Sequence, residues 1–119
     1  MATIAVTAEN FGDTIKTNDI VFVDFWAAWC GPCRAFGPVF ESVSETNPDA
    51  VFAKVDTDAE QALAAGLEIT SIPTLMAFRD GYLVFRQPGA LNKSTFENLV
   101  EQVKGLDMEK LKAEAEAQS

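Results

Sequence analysis

Trp29-Cys30-Gly31-Pro32-Cys33 holds the only two cysteines of the chain. Thiols separated by two residues can close into a disulfide and reopen, so the spacing points to reversible redox chemistry. Other uses of the pair fit less well. A ring spanning Cys30 to Cys33 cross-links almost no chain, and stabilisation by loop closure grows with loop length, so it is a poor brace. Tetrahedral zinc wants four Cys or His ligands, and the chain has no histidine. A c-type haem site needs His directly after the second Cys, where Arg34 stands. A purely structural pair remains as an alternative, although it gives no reason for the pair to fall where an apolar run ends and helical spacing begins.

The flanking residues assign the sulfurs different work. Pro32 suits the first turn of a helix, where its missing N–H is no loss. A helix running from Cys33 then aims unpaired N–H groups and the positive end of its dipole at Cys30. Cys30 is therefore the thiol more readily ionised and the expected nucleophile. Cys33, inside the helix, is expected to be the more shielded thiol. It would resolve the mixed disulfide, release reduced substrate and leave Cys30–Cys33 oxidised. Two charges join this pair as candidates. Asp24 interrupts the apolar run Ile20 to Trp26, and Lys54 interrupts Val51 to Val55. A charge inside a buried strand is costly without a partner or a task. Neighbouring strands could bring the two beneath the cysteines, either as a buried ion pair that fixes packing or as part of the chemistry.

The elements that must position these residues follow from hydrophobic spacing. Thr3 to Val6 reads as a strand and Ala8 to Lys16, with Phe11 and Ile15 four apart, as a helix. Ile20 to Trp26 reads as a strand buried on both faces. Cys33 to Glu45 is helical, Val51 to Val55 a strand and Glu60 to Ala65 a short helix. Thr74 to Phe78 and Tyr82 to Phe85 flank Arg79-Asp80-Gly81 as a hairpin. Ser94 to Val103 presents Phe96, Leu99, Val100 and Val103 at core spacing. Alternating strands and helices followed by a hairpin predict an α/β domain, a mixed sheet covered by helices on both faces. Residues 106–119, rich in Ala, Glu and Lys, read as an acidic helical extension in which Leu106 and Leu111 could dock.

The 119 residues suit one domain, and with 48% apolar residues a core needs no staples. A net charge of −9 repels phosphate backbones and argues against nucleic-acid binding. Met1 to Val6 shows no secretory leader pattern and no run is long enough for a transmembrane helix, so a cytoplasmic monomer is expected.

Asp24-Phe25-Trp26-Ala27, Trp29-Cys30-Gly31-Pro32-Cys33, Ile72-Pro73-Thr74 and Gly89-Ala90, in this order and spacing, make residues 3 to 104 resemble the thioredoxin family. The resemblance implies a thioredoxin fold, with a central mixed sheet of about five strands, about four helices and the helical extension beyond residue 105. It implies reduction of protein disulfides, with Cys30 attacking and Cys33 resolving. It makes Asp24 the base for Cys33, through water, and Lys54 its modulator. It implies a cis Ile72-Pro73 bond and a flat apolar docking surface of Trp29, Gly31, Pro32, Ile72, Pro73, Gly89 and Ala90. It also implies no bound cofactor, with electrons from NADPH through a separate flavoprotein, thioredoxin reductase. Gly-Pro between the cysteines favours the reducing direction, because a histidine there would stabilise the reduced form and make an oxidant. An oxidase or isomerase, or a binding module using the same apolar surface, are the competing uses of such a fold. Gly37, Ala28 and Pro88 depart from the family pattern: Gly37 loosens the helix beside Pro38, Ala28 makes the rim more apolar, and Pro88 stiffens a loop. These departures bear on partner choice.

Overall fold

The computed structural model describes residues 2–118, so Met1 of the leader reading and Ser119 of the extension lie outside it. The strands are β1 (Thr3–Ala5), β2 (Ile20–Trp26), β3 (Val51–Asp56), β4 (Thr74–Arg79) and β5 (Tyr82–Pro88). The helices are α1 (Phe11–Thr17), α2 (Gly31–Glu45), α3 (Gln61–Gly66), α4 (Lys93–Lys104) and α5 (Met108–Gln118). The five strands form one mixed sheet in the order β1-β3-β2-β4-β5. β1, β3 and β2 run parallel, whereas β4 is antiparallel to both β2 and β5.

Strand alternation divides the core into two layers. Val21, Val23 and Phe25 of β2 pack with Phe11 and Ile15 of α1 and Leu63 of α3. Phe22 and Phe52 face the other way, onto Phe36 and Phe40 of α2 and Phe96 of α4. Those five phenylalanines touch in a continuous network, with Phe96 stacked on Phe40 at 5.6 Å between centroids. The same alternation places Asp24 on the α2 side, two residues beyond Phe22. Its neighbours in register are Lys54 on β3 and Leu75 on β4.

Element ends differ from the sequence expectation for local reasons. α1 starts three residues later than expected, at Phe11, because Thr7–Asn10 forms a turn in which the Thr7 N–H donates to Asn10 Oδ1 at 2.8 Å. α2 starts at Gly31 and not at Cys33. Pro32 is tolerated in the first turn, which makes Cys30 itself the capping residue. β5 runs on to Pro88, past the expected Phe85. The hairpin closes through Asp80 and Gly81, both at positive φ (51° and 85°), as a tight turn between right-twisted strands requires.

The extension is helical and its main anchor is Met108, which is buried. Leu111 is half-buried while Leu106 is 36% exposed, so the expectation that both could dock holds at most for Leu111. Lys112 pairs with Asp80 of the hairpin at 3.0 Å. Arg79 donates to the Lys104 carbonyl at the end of α4, close to where α5 begins.

Candidate active site

Cys30 ends the loop that follows β2, and the parallel pairing of β2 with β3 brings the loops at their C-terminal ends together. Cys30 and Cys33 are joined as a disulfide with their Cα atoms 5.2 Å apart. The Cys33 backbone N–H donates to Cys30 Sγ at 3.2 Å, so a helix N-terminal donor is aimed at that sulfur. Such a donor stabilises negative charge on Cys30 when the disulfide opens. The expected difference in shielding is not present in the oxidised form, where both cysteines are 4% exposed. Their asymmetry lies instead in position: Cys30 receives the helix N–H and Cys33 provides it.

The far wall is the start of β4. Ile72-Pro73 is cis, as the resemblance implied. The Ile72 carbonyl oxygen lies 3.6 Å from Cys30 Sγ, and Ile72 packs with Ala27, Cys30 and Cys33. Gly89 donates its N–H to the Pro73 carbonyl at 2.7 Å, holding the end of β5 against this wall. Gly89 does so at φ 101°, in the region that favours glycine. Trp29 stands 68% exposed and shares a small pocket with Ile72, and Gly31, Pro32, Gly89 and Ala90 are exposed as well. Pro73 is buried, so it contributes backbone and not ring surface to the expected docking face.

Asp24 is fully buried, and neither carboxylate oxygen has a hydrogen-bond partner among the described residues. Burial pushes its pKa up to about 7, opposed by the positive charge of Lys54. Lys54 itself lies over the Trp26 ring, 5.2 Å from the centroid, and forms no ion pair within 4 Å among the described residues. The two charges are thus adjacent in the sheet without the contact a packing ion pair needs. A Cβ built on Gly37 would lie 3.7 Å from Lys54 Nζ, an ordinary contact distance, so the ammonium passes close to α2 at this glycine without requiring it. A cavity of about 230 Å³ beneath it is lined by Cys33, Gly37 and Lys54.

The sequence reading missed Asp58, whose Oδ2 accepts the Trp29 indole N–H at 3.0 Å and orients the exposed ring. The signal was available in the topology. Parallel neighbours β2 and β3 end side by side, so residues just after β3 lie beside those just after β2.

A cysteine pair capping a helix at the C-terminal end of a parallel strand, opposite a cis-proline wall, defines a dithiol–disulfide exchange protein. The thioredoxin family model matches residues 2–102. The chain is 50% identical over 119 residues to a protein named "Putative thioredoxin 2" from Streptomyces coelicolor, covering 99% of this chain and 89% of that one. A Mycobacterium bovis thioredoxin is 44% identical over 95 residues, covering 78% of this chain and 82% of its own. Among solved structures, a mutant thioredoxin from Halobacterium salinarum superposes with a TM-score of 0.79 at 36% identity, covering 87% of this chain and 91% of that one. The chain belongs to the thioredoxin family and is a thiol–disulfide oxidoreductase that reduces protein disulfides. The redox centre is the cysteine pair itself, and the described residues hold no cluster of metal-ligating side chains.

Proposed function

We propose that Cys30 makes the attack, Cys33 the release and Asp24 the intervening proton transfer. The observation that carries this reading is the Cys33 N–H aimed at Cys30 Sγ beside the Ile72 carbonyl. The Cys30 thiolate attacks a substrate disulfide, forming one S–S bond while the substrate bond breaks and the leaving thiolate takes a proton. Asp24 then accepts the Cys33 proton through water, and Cys33 attacks Cys30 Sγ. The second substrate thiolate leaves, and the protein holds the oxidised pair. A carboxylate with a pKa near 7 and unpartnered oxygens suits that transfer at neutral pH. Lys54 modulates it by its charge.

Trp29, Gly31, Pro32, Ile72, Gly89 and Ala90, with the Pro73 backbone, receive an extended segment of the disulfide-bearing protein. The Ile72 backbone pairs with it as in strand addition. Electrons come from NADPH through a flavoprotein thioredoxin reductase, and the protein works as a cytoplasmic monomer. Residues 1–105 make up the thioredoxin domain and residues 106–119 an appendage to it. Among the described residues no helix is long and apolar enough to cross a membrane.

Insulin disulfide reduction, measured with NADPH and with or without a bacterial thioredoxin reductase, tests chemistry and electron supply together. Turnover that depends on the reductase and vanishes in the Cys30→Ser, Cys33→Ser double variant supports the reading. Reductase-independent behaviour, or full biological activity of the double variant, favours a binding module instead.

A further inference from the structure

Lys54 sits at the junction of two cavities. The smaller, about 230 Å³, joins it to Cys33, and the larger, about 500 Å³, opens along β1. Trp26, Glu41 and Lys54 line both. Among the described residues Glu41 is the one carboxylate shared by the two walls. Asp56 and Glu60 reach only the larger cavity, and Arg34 only the smaller. Glu41 is half-buried on α2, about two turns along the helix from Cys33. Its Oε1 accepts the Thr3 hydroxyl at 2.9 Å, so the edge strand β1 holds a side chain of the active-site helix in place. Lys54 meanwhile lacks a carboxylate within ion-pair distance among the described residues, and its field is open to any negative group around it.

We propose that Glu41 is a positioning residue for the exchange reaction: held by Thr3, its carboxylate attracts the Lys54 ammonium toward the wall the two cavities share, and so sets how closely that charge approaches Asp24 and how readily Asp24 ionises. The titratable and charged groups lining the smaller cavity are Lys54 on β3 and Cys33, Arg34 and Glu41 on α2, whereas Glu45 at the end of α2 and Arg79 at the end of β4 line neither cavity. β4 presents the uncharged Leu75 opposite Asp24. Asp56 and Glu60 are set farther out, around the larger cavity. With Glu41 neutral, the Lys54 ammonium is no longer drawn toward α2, comes closer to Asp24, and the buried carboxyl gives up its proton at lower pH. The consequence for turnover rests on the reading of Asp24 as the base for Cys33; the effect on Asp24 ionisation does not.

The test is a carbon-13 NMR titration of the Asp24 carboxyl in the reduced full-length chain. Wild type, Glu41→Gln, Lys54→Met and the double variant are compared. Glutamine is isosteric and can still accept from Thr3, which keeps the local fold. Glu41→Gln lowers the Asp24 midpoint by about half a unit, and most of that shift disappears in the Lys54→Met background. An unmoved midpoint in Glu41→Gln overturns the proposal. So does a shift of full size without Lys54, since Glu41 would then act on Asp24 directly. The pH profile of the mixed-disulfide resolution rate, read on the same variants, separates the two ideas. A moved Asp24 titration with an unmoved rate profile leaves this inference standing and removes Asp24 as the base.

Discussion

Asp24 gives up stability for its place in the sheet. In the unfolded chain the carboxyl ionises near 3.8, and in the fold burial raises that to about 7. Between those values the folded state holds the proton and the unfolded state does not, so stability falls as pH rises through this window. Above it the buried charge costs on the order of 4 kcal/mol. Asp24→Asn is therefore expected to raise the unfolding free energy by about 2–4 kcal/mol near pH 8, with the gain gone near pH 4, as urea titrations at the two pH values would show. The same variant is expected to slow resolution of the mixed disulfide about tenfold or more at neutral pH, measured by single-turnover kinetics. Equal rates at every pH would remove Asp24 from the proton path. Gly89→Ala is expected to act through the backbone, since a Cβ there meets open space while φ 101° is strained for alanine. About 1 kcal/mol of destabilisation and a raised KM for insulin are the outcomes to look for.

At the scale of elements, the phenylalanine network joins the active-site helix to the sheet and to α4. Phe96 contacts Phe22, Phe36, Phe40 and Phe52, so Phe96→Ala is expected to cost about 3–5 kcal/mol by calorimetry or denaturant unfolding. These elements were legible because their apolar residues repeat at strand or helix spacing, and Phe96 was placed on a core-facing helix stripe from that spacing alone. Ends were less legible, because they depend on turns and caps. Asn10 bonding to Thr7 delays α1, and Cys30 acting as cap advances α2. Tertiary pairing was least legible. That Thr3 would hold Glu41, or Asp58 the Trp29 ring, depends on strand order, which spacing alone does not supply. Met108 was missed for a related reason: one apolar residue in an Ala, Glu and Lys background leaves no periodic signature.

Across the whole molecule, α5 adds a buried methionine and an ion pair whose partners remain partly exposed. Burial of the methionine contributes about 1–3 kcal/mol and such an ion pair little. Removing residues 106–119 is expected to lower Tm by about 4–8 °C per kcal/mol lost while leaving insulin reduction unchanged. The thiol chemistry was the most legible part of the molecule because both sulfurs lie in one short segment. The surroundings of the pair, Asp24 on β2, Lys54 on β3 and Ile72 ahead of β4, come from parts of the chain that only the fold assembles. The central claim is that Cys30 alone meets the substrate, and disulfide trapping tests it most directly. Cys33→Ser incubated with an oxidised substrate protein should accumulate a stable mixed disulfide through Cys30, seen by non-reducing electrophoresis and peptide mass. Cys30→Ser should accumulate essentially none. Equal trapping by the two variants, or trapping through Cys33, would contradict the account.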